Sequence, residues 1–565
     1  MPLIFDLLVN LWRLLRNACV RLLGRPPQYV ALEVSGSLPE LEPRVRFLQR
    51  RMRPGPAAPS LEGLRSILGR ISADPRPRGV VLRLGSLDAG WAALEELRRE
   101  LLAFRGRGGR VVAYLLDPVD SRSYYLACAA DEILATPLAT VAVTGLRTRV
   151  TFLKDALDRV GVEAEVVAVS PYKSAGDPYV RNDFSRESRE QAERLLDHRY
   201  EELVRAISEE RDLTPEEARA RIDGAPYAAS EALDEGLLDG VCYEDELPER
   251  LSGGEKRVRV AEWGSARRSL RVPLRRSPRR RVGLVSLSGT IVRGRSRRLP
   301  VPVPLLGGEQ AGSDTIVAAL RLAENNRRVS SILFHVESPG GDALASDLIW
   351  REVERIRARK PVVVLMGNVA ASGGYYVSAA ANHVVARSTT VTGSIGVLSI
   401  RPVASGFYEW IGVHPVAVRR GARADLLDFS RRPTEDELRV LREQVGFIYD
   451  EFKNRVTRGR GLPESDLEGI AAGRVWTGTE ALDLGLADEV GGFGEALRKA
   501  RELGGVDRDA PEALLKVSAP RSGRPTPGEP AEAVREMVGD LMQALLDIRA
   551  PRVWAVAPYD IREDW

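Results

Sequence analysis

The chain has 565 residues, 44% of them hydrophobic, which is enough to bury two full α/β cores. Its three cysteines, Cys19, Cys128 and Cys242, are too few and too scattered for a disulfide framework or a zinc site, and no metal or other cofactor is indicated. Net charge is only +4, but the basic residues are unevenly spread.

Residues Leu3 to Leu23 are strongly apolar, yet Asp6, Asn10, Arg13, Asn17 and Arg21 interrupt them at spacings of four, three, four and four. That spacing draws one polar stripe down a helix. A membrane-spanning helix needs roughly 20 uninterrupted apolar residues, so residues 1–26 read as an amphipathic helix lying in a bilayer interface. Packing on the protein or on a neighbouring subunit is the alternative. No small-residue cleavage site follows, which argues against a removable signal peptide.

Strands such as Gly79–Leu84 then alternate with helical stretches such as Ala92–Phe104 and Ser188–Glu209, the pattern of parallel sheets with crossover helices. Between them lies Ser170-Pro171-Tyr172-Lys173-Ser174-Ala175-Gly176-Asp177-Pro178-Tyr179, in which one lysine sits among small and aromatic residues of an arginine-dominated chain. Farther on, Lys256-Arg257-Val258-Arg259 and the arginines from Arg267 to Arg281 form a basic linker with Pro273 and Pro278. No aromatic stacking platform or recognition helix accompanies it, so anionic lipid or plain solvation is preferred to nucleic acid. A second basic stretch, Val292 to Leu306, reads as an irregular loop over a site or a membrane-touching flap.

Two further segments carry chemistry. The apolar strand Ile332–Val336 runs into Glu337-Ser338-Pro339-Gly340-Gly341-Asp342, whose paired glycines can turn backbone N–H groups toward a developing oxyanion. The apolar run Lys360–Met366 leads into Gly367-Asn368-Val369-Ala370-Ala371-Ser372-Gly373-Gly374-Tyr375-Tyr376, placing Ser372 between a buried strand and a small-residue helix. Ser-Gly-Gly also makes an ordinary turn; the neighbouring segments favour a nucleophile. Thr392-Gly393-Ser394-Ile395-Gly396 follows them. Beyond these, Ser518–Pro530 reads as a linker, and Ala531–Ile548 as an amphipathic helix for an oligomer or lipid contact.

The chain repeats itself at an offset of about 250 residues. Gly224-Ala225-Pro226-Tyr227 with Ser230–Leu237 matches Gly473-Arg474-Val475-Trp476 with Thr479–Leu486, Tyr124-Tyr125-Leu126 matches Tyr375-Tyr376-Val377, and Val34-Ser35-Gly36 matches Leu287-Ser288-Gly289. The copies have diverged where chemistry is concerned. Lys173 falls opposite Ala422, Ser372-Gly373-Gly374 opposite Ser121-Arg122-Ser123, and the Ser-Pro-Gly-Gly turn opposite Ser86-Leu87-Asp88-Ala89. One complete site therefore needs both halves, and Ser121 is a decoy. The expected organisation is the helix at 1–26, a first copy at 27–250 donating the lysine, the basic linker at 251–281, a second copy at 282–506 carrying Ser372, and a terminal linker and helix at 507–565.

Together the Tyr-Lys-Ser-Ala, Ser-Pro-Gly-Gly and Ala-Ala-Ser-Gly-Gly-Tyr segments resemble the signal peptide peptidase A family in its long, duplicated form, over roughly residues 28 to 500. The resemblance implies an α/β architecture of two tandem Clp-protease/crotonase-like folds and a membrane-associated serine endopeptidase of the bacterial cytoplasmic membrane. It implies Ser372 as nucleophile, Lys173 as general base, Gly340, Gly341 and Gly373 at the oxyanion and substrate, and Ser394 supporting the lysine amine. It also implies short, extended, apolar peptides such as released signal peptides as substrates, and a homo-oligomer, a tetramer, as the assembly. Departures from the family pattern are Asp177, where Glu is usual, and Asp342, where a small residue is commoner.

A lysine base asks for specific surroundings. Serine oxygen is a weak nucleophile until a base takes its proton, and of the four histidines only His383 lies near the motif, where it reads as a strand-edge residue. A solvated lysine titrates at roughly pH 10.4, and lowering that by about three units corresponds to roughly 4 kcal/mol of differential solvation. Only a mostly water-excluded site can do that. The competing readings are a crotonase-type acyl-CoA enzyme and a non-catalytic membrane scaffold.

Overall fold

A computed structural model describes residues 2–23, 25–42, 59–116, 118–254, 257–275, 278–303, 307–507, 514–518 and 553–556. The chain divides into two compact units, one of Met1–Arg147 with Leu196–Ser277 and the other of Thr148–Leu195 with Pro278–Trp565. Residues 148–195, which belong to the first copy by sequence alignment, are thus built into the second unit.

Each unit is organised on a mainly parallel sheet whose strands are short runs of Val, Ile and Leu, buried on both faces as crossover helices require. In the first unit the order is Val260–Glu262, Tyr29–Val34, Gly79–Leu84, Arg110–Leu115, Glu132–Ala135, Gly240–Val241. The second unit repeats it with Leu514–Lys516, Arg281–Ser288, Val329–Ser338, Val362–Ala371, His383–Ala386 and Glu489–Val490. Helices such as Trp91–Gly106 and Ala343–Arg357 close the faces through buried apolar rows, for example Leu94, Leu97, Leu101 and Phe104 in the former. The duplication seen in the sequence is therefore a duplication of fold.

Two stretches differ from expectation. The basic residues 251–281 include a strand, Val260–Glu262, that extends the first sheet beside Tyr29–Val34, and a helix, Trp263–Ser269. Arginine content hid a strand whose counterpart in the second unit is Leu514–Lys516. Within 292–306, Arg297–Val303 is no irregular loop: it pairs antiparallel with Gly307–Gly312, while 304–306 lie outside the described residues. Arg297–Val303 is the edge of its sheet, where the missing N–H of a proline costs no ladder bond.

The amino-terminal helix spans Pro2–Leu23, and its polar stripe faces protein. Asn10 and Asn17 exchange hydrogen bonds with the backbone of Arg275 and Val272, Arg13 and Arg16 donate to carbonyls of Pro273 and Leu270, and Asp6 pairs with Arg275. Its apolar row is left outside, with Leu7, Leu8, Leu11, Trp12 and Leu15 each more than half exposed. Among the described residues no helix is long and apolar enough to cross a membrane. The helix expected over 531–548 lies outside the described residues.

A second sheet of the second unit holds the remaining strands near the chemistry. Its order is Arg297–Val303, Gly307–Gly312, Thr290–Val292, Gly340–Asp342, Val553–Val556, Leu398–Val403 and Glu163–Ala168. The last two pair antiparallel over six positions, from Leu398 opposite Ala168 to Val403 opposite Glu163, and this ladder anchors the lysine-bearing segment in the second unit.

Candidate active site

Ser372 sits at the end of the strand Val362–Ala371, which changes partners along its length. Its first half pairs with His383–Ala386, and its last three residues pair with Val391–Gly393. The Ser372 amide continues that second ladder by donating to the Gly393 carbonyl at 2.8 Å. The backbone then reverses into the helix Gly373–Ser378, with Ser372 at φ 55° and ψ −114°. A side-chain-bearing residue at positive φ is strained, and such strain is held only where the surroundings over-determine it. Here the glycines explain the confinement: a Cβ on Gly374 would lie 2.6 Å from the Ser338 carbonyl oxygen, and one on Gly373 would lie 3.1 Å from the Gly341 nitrogen.

Lys173 approaches from the inserted segment and is 2% exposed. Its Nζ lies 2.7 Å from Ser372 Oγ, 2.9 Å from Ser394 Oγ and 3.0 Å from the Ser394 carbonyl oxygen. Among the described residues no carboxylate shares the pocket's hydrogen bonds, and burial pushes the amine well below the ordinary lysine range. The contacts suit a neutral amine, which has two N–H groups for the two Ser394 oxygens and a lone pair for the Ser372 hydroxyl. Ser394, like Ser372, holds a positive φ, 51°.

The slot that admits the lysine is made by absent side chains. A Cβ on Gly473 would fall 2.7 to 2.8 Å from Lys173 Cβ, Cα and N, and one on Gly396 would meet Lys173 Cδ at 3.3 Å. Around it, Gln191 donates to the Tyr172 carbonyl and accepts from the Val475 amide, Arg474 stacks on the Tyr172 ring at 3.6 Å, and Ser170 Oγ donates to the Ala472 carbonyl. The Tyr-Lys-Ser-Ala segment is thereby clamped to residues 472–475.

The turn at Gly340 and Gly341 takes φ values of 109° and 156°, and the Gly340 amide donates to Ser338 Oγ at 3.1 Å. Asp342 puts no free charge beside it. Its carboxylate caps the helix Ala343–Arg357 by accepting from the Ala345 amide and pairs with Arg293 at 2.9 Å. Asp177 accepts from Ser185 Oγ at 2.6 Å.

Elsewhere the comparison of copies is plain. Ser121 opens a helix in ordinary backbone geometry and donates to the Gly145 carbonyl, so the position opposite the Ser372 motif has no activating partner. His383 opens its strand opposite Val363 and bonds Glu489, at the far end of the strand that carries Ser372. Gly396, Gly473 and Glu337 stand inside the sequence motifs, where no work was assigned to them. The signal lay in their position: a glycine where both copies carry one, and a charged residue at the end of an apolar strand.

A strained serine between a buried strand and a helix, facing a glycine turn on a duplicated α/β fold, defines a serine peptidase. Sequence comparison agrees: the family model of Peptidase family S49 matches residues 103–259 and 354–507, and that of Clp protease matches 307–393, and the chain belongs to Peptidase family S49. It is 32% identical to a chloroplastic serine protease, SPPA, of Arabidopsis thaliana, over 82% of this chain and 69% of that one. It is also 32% identical to Protease 4 of Haemophilus influenzae, over 76% and 71% respectively. A putative signal peptide peptidase SppA of Enterococcus faecium is 34% identical over 34% of this chain and 56% of its own. These relationships set aside the acyl-CoA and scaffold alternatives.

Proposed function

We propose that this chain is a Ser/Lys-dyad endopeptidase that cuts short, extended, apolar peptides at a membrane surface. The observation that carries the reading is the 2.7 Å contact between Lys173 Nζ and Ser372 Oγ inside a dry pocket. As Ser372 Oγ attacks the peptide carbonyl carbon, its proton passes to the Lys173 amine. The oxyanion is held by the amides of Gly341 and Gly373, since that of Gly340 is engaged by Ser338. When the C–N bond breaks, the Lys173 ammonium returns the proton to the leaving amine. Water then attacks the acyl-enzyme ester, gives a proton to Lys173 and releases the acid, and Ser372 is re-protonated. Ser394 orients the amine throughout.

The substrate's shape is supported by the chain's own strand Val553–Val556. It fills the gap between Gly340–Asp342 and Leu398–Val403, antiparallel to both, with Val556 opposite Gly340. An extended peptide added as a strand there would run toward Ser372 with its carboxyl end leading. Main-chain pairing of this kind is indifferent to sequence and demands an unfolded substrate. Released signal peptides meet that demand, and the name of the Enterococcus relative points the same way.

The amino-terminal helix supports attachment to the cytoplasmic membrane of a bacterium. Its polar side is spent on the protein while Leu7, Leu8, Leu11, Trp12 and Leu15 face outward, the arrangement of an interfacial helix. Exposed Trp410, Val416, Val418 and Phe447 in the second unit give a homo-oligomer, a tetramer, an apolar surface to bury.

Three outcomes are expected. A fluorophosphonate should label the wild type and neither Ser372→Ala nor Lys173→Ala; labelling that survives in both variants would refute the dyad. Deleting residues 551–565 should vacate the strand slot and raise kcat/KM for a short apolar peptide by about tenfold, the equivalent of roughly 1.4 kcal/mol; an unchanged value would deny that peptides use this slot. Anionic vesicles should pull down the wild type but not a Leu7→Ser, Leu11→Ser, Leu15→Ser protein. Equal pelleting of the two would disprove the lipid contact, and a smaller assembly for the triple variant in analytical sedimentation would place that face between subunits instead.

A further inference from the structure

We propose that Glu337 is a positioning residue for peptide cleavage, its carboxylate holding a bulge in the strand Val362–Ala371 and so setting Ser372 against the Gly340–Gly341 turn. The inference rests on Ser372 being the nucleophile.

The pairing register shows the bulge. Strands Val329–Ser338 and Val362–Ala371 run in step as far as Val336 opposite Met366, and resume with Ser338 opposite Ala370. Gly367, Asn368 and Val369 therefore stand opposite the single residue Glu337. A bulge leaves ladder amides without strand partners. The Glu337 side chain supplies them: Oε2 accepts from the Asn368 amide at 2.7 Å and from Asn368 Nδ2 at 3.2 Å, and Oε1 accepts from the Val369 amide at 3.3 Å. Room for the carboxylate comes from Gly367, where a Cβ would lie 2.0 Å from Glu337 Oε2. Thr390 Oγ1 completes the corner by donating to the Gly367 carbonyl at 2.8 Å.

The bulge is where the strand leaves one set of partners for another. Before it, Val363–Leu365 pair with His383–Val385; after it, Val369–Ala371 pair with Val391–Gly393 and deliver Ser372. Glu337 is also joined through Ser338 and Pro339 to the Gly340–Gly341 turn, and the Ser338 carbonyl abuts Gly374. One residue thus binds the nucleophile's strand with its side chain and carries the oxyanion turn on its backbone. A carboxylate fits because two adjacent amides need two acceptor oxygens and no donor; glutamine would turn an N–H toward one of them.

The charged group facing Glu337 is Arg387, which favours the ionised form, while burial opposes it and pushes the carboxyl up to about 7. The acceptor-only state is therefore lost as pH falls through about 7. Lys173, held below the ordinary lysine range by burial, also gains a proton as pH falls, so two protonations silence the wild type.

The test compares Glu337→Gln with the wild type on a short peptide. Misplacement of a reacting group by about 1 Å costs up to roughly 100-fold, so kcat should fall about 10- to 100-fold with KM within about twofold. The acid limb of the kcat profile should change from steeper than one proton to a single protonation. Gly367→Ala, which pushes the carboxylate out while leaving it in the chain, should lower kcat alike in the wild type and add almost nothing in Glu337→Ala. It gives the same comparison should the glutamine variant not fold. Wild-type kcat and profile in Glu337→Gln, a loss confined to melting temperature, or simple additivity of Gly367→Ala with Glu337→Ala would each overturn the proposal. Failure of the nucleophile reading is separate and shows as turnover by Ser372→Ala.

Discussion

The structure turns on keeping one amine out of water. Lys173 sits where an ammonium ion is disfavoured, its hydrogen-bond capacity met by two serines and a carbonyl and, among the described residues, by no carboxylate. A carboxylate in that pocket would restore the ammonium. The rest of the second unit supplies this exclusion: Gly396 and Gly473 open the slot, the Glu163–Ala168 strand and Gln191 hold the segment in it, and Arg474 with Tyr172 covers its rim.

Duplication explains how such a site arises. Two copies of one sheet order share these two positions: both carry a serine at one, Ser121 and Ser372, and only the first carries a lysine at the other, Lys173 opposite Ala422. In the first copy the serine position has relaxed: Ser121 opens a helix capped by Asp120 and donates to the Gly145 carbonyl. The retained lysine is carried by a segment that leaves the first copy's unit and folds as part of the second. Ser372 and Lys173 are thus 199 residues apart in sequence yet within one compact unit.

Much of this was legible beforehand. Apolar β-branched runs marked the strands, the repeat marked the duplication, and loss of paired glycines opposite Ser372 marked where the copies differ. What stayed hidden depended on partners distant in sequence. The strand Val260–Glu262 looked like basic linker because its hydrogen bonds go to Tyr29–Val34, far upstream. Arg297–Val303 looked irregular because its prolines are tolerable only at a sheet edge, which sequence does not display. Glu337 looked like the end of a strand, since a bulge is a property of two strands in register. The direction of the helical stripe at Asn10 and Asn17 was likewise undetermined until its partners, Val272 and Arg275, were in place.

The most direct measurement is the titration of Lys173 itself in the whole protein, by the Cε and Nζ resonances of isotope-labelled lysine, assigned with Lys173→Arg. The chain contains only seven lysines, so the signal is separable. A working base must be a neutral amine at physiological pH, with protonation far below the ordinary value of 10.5. A Lys173 that stays an ammonium ion up to the range of its exposed neighbours would contradict it.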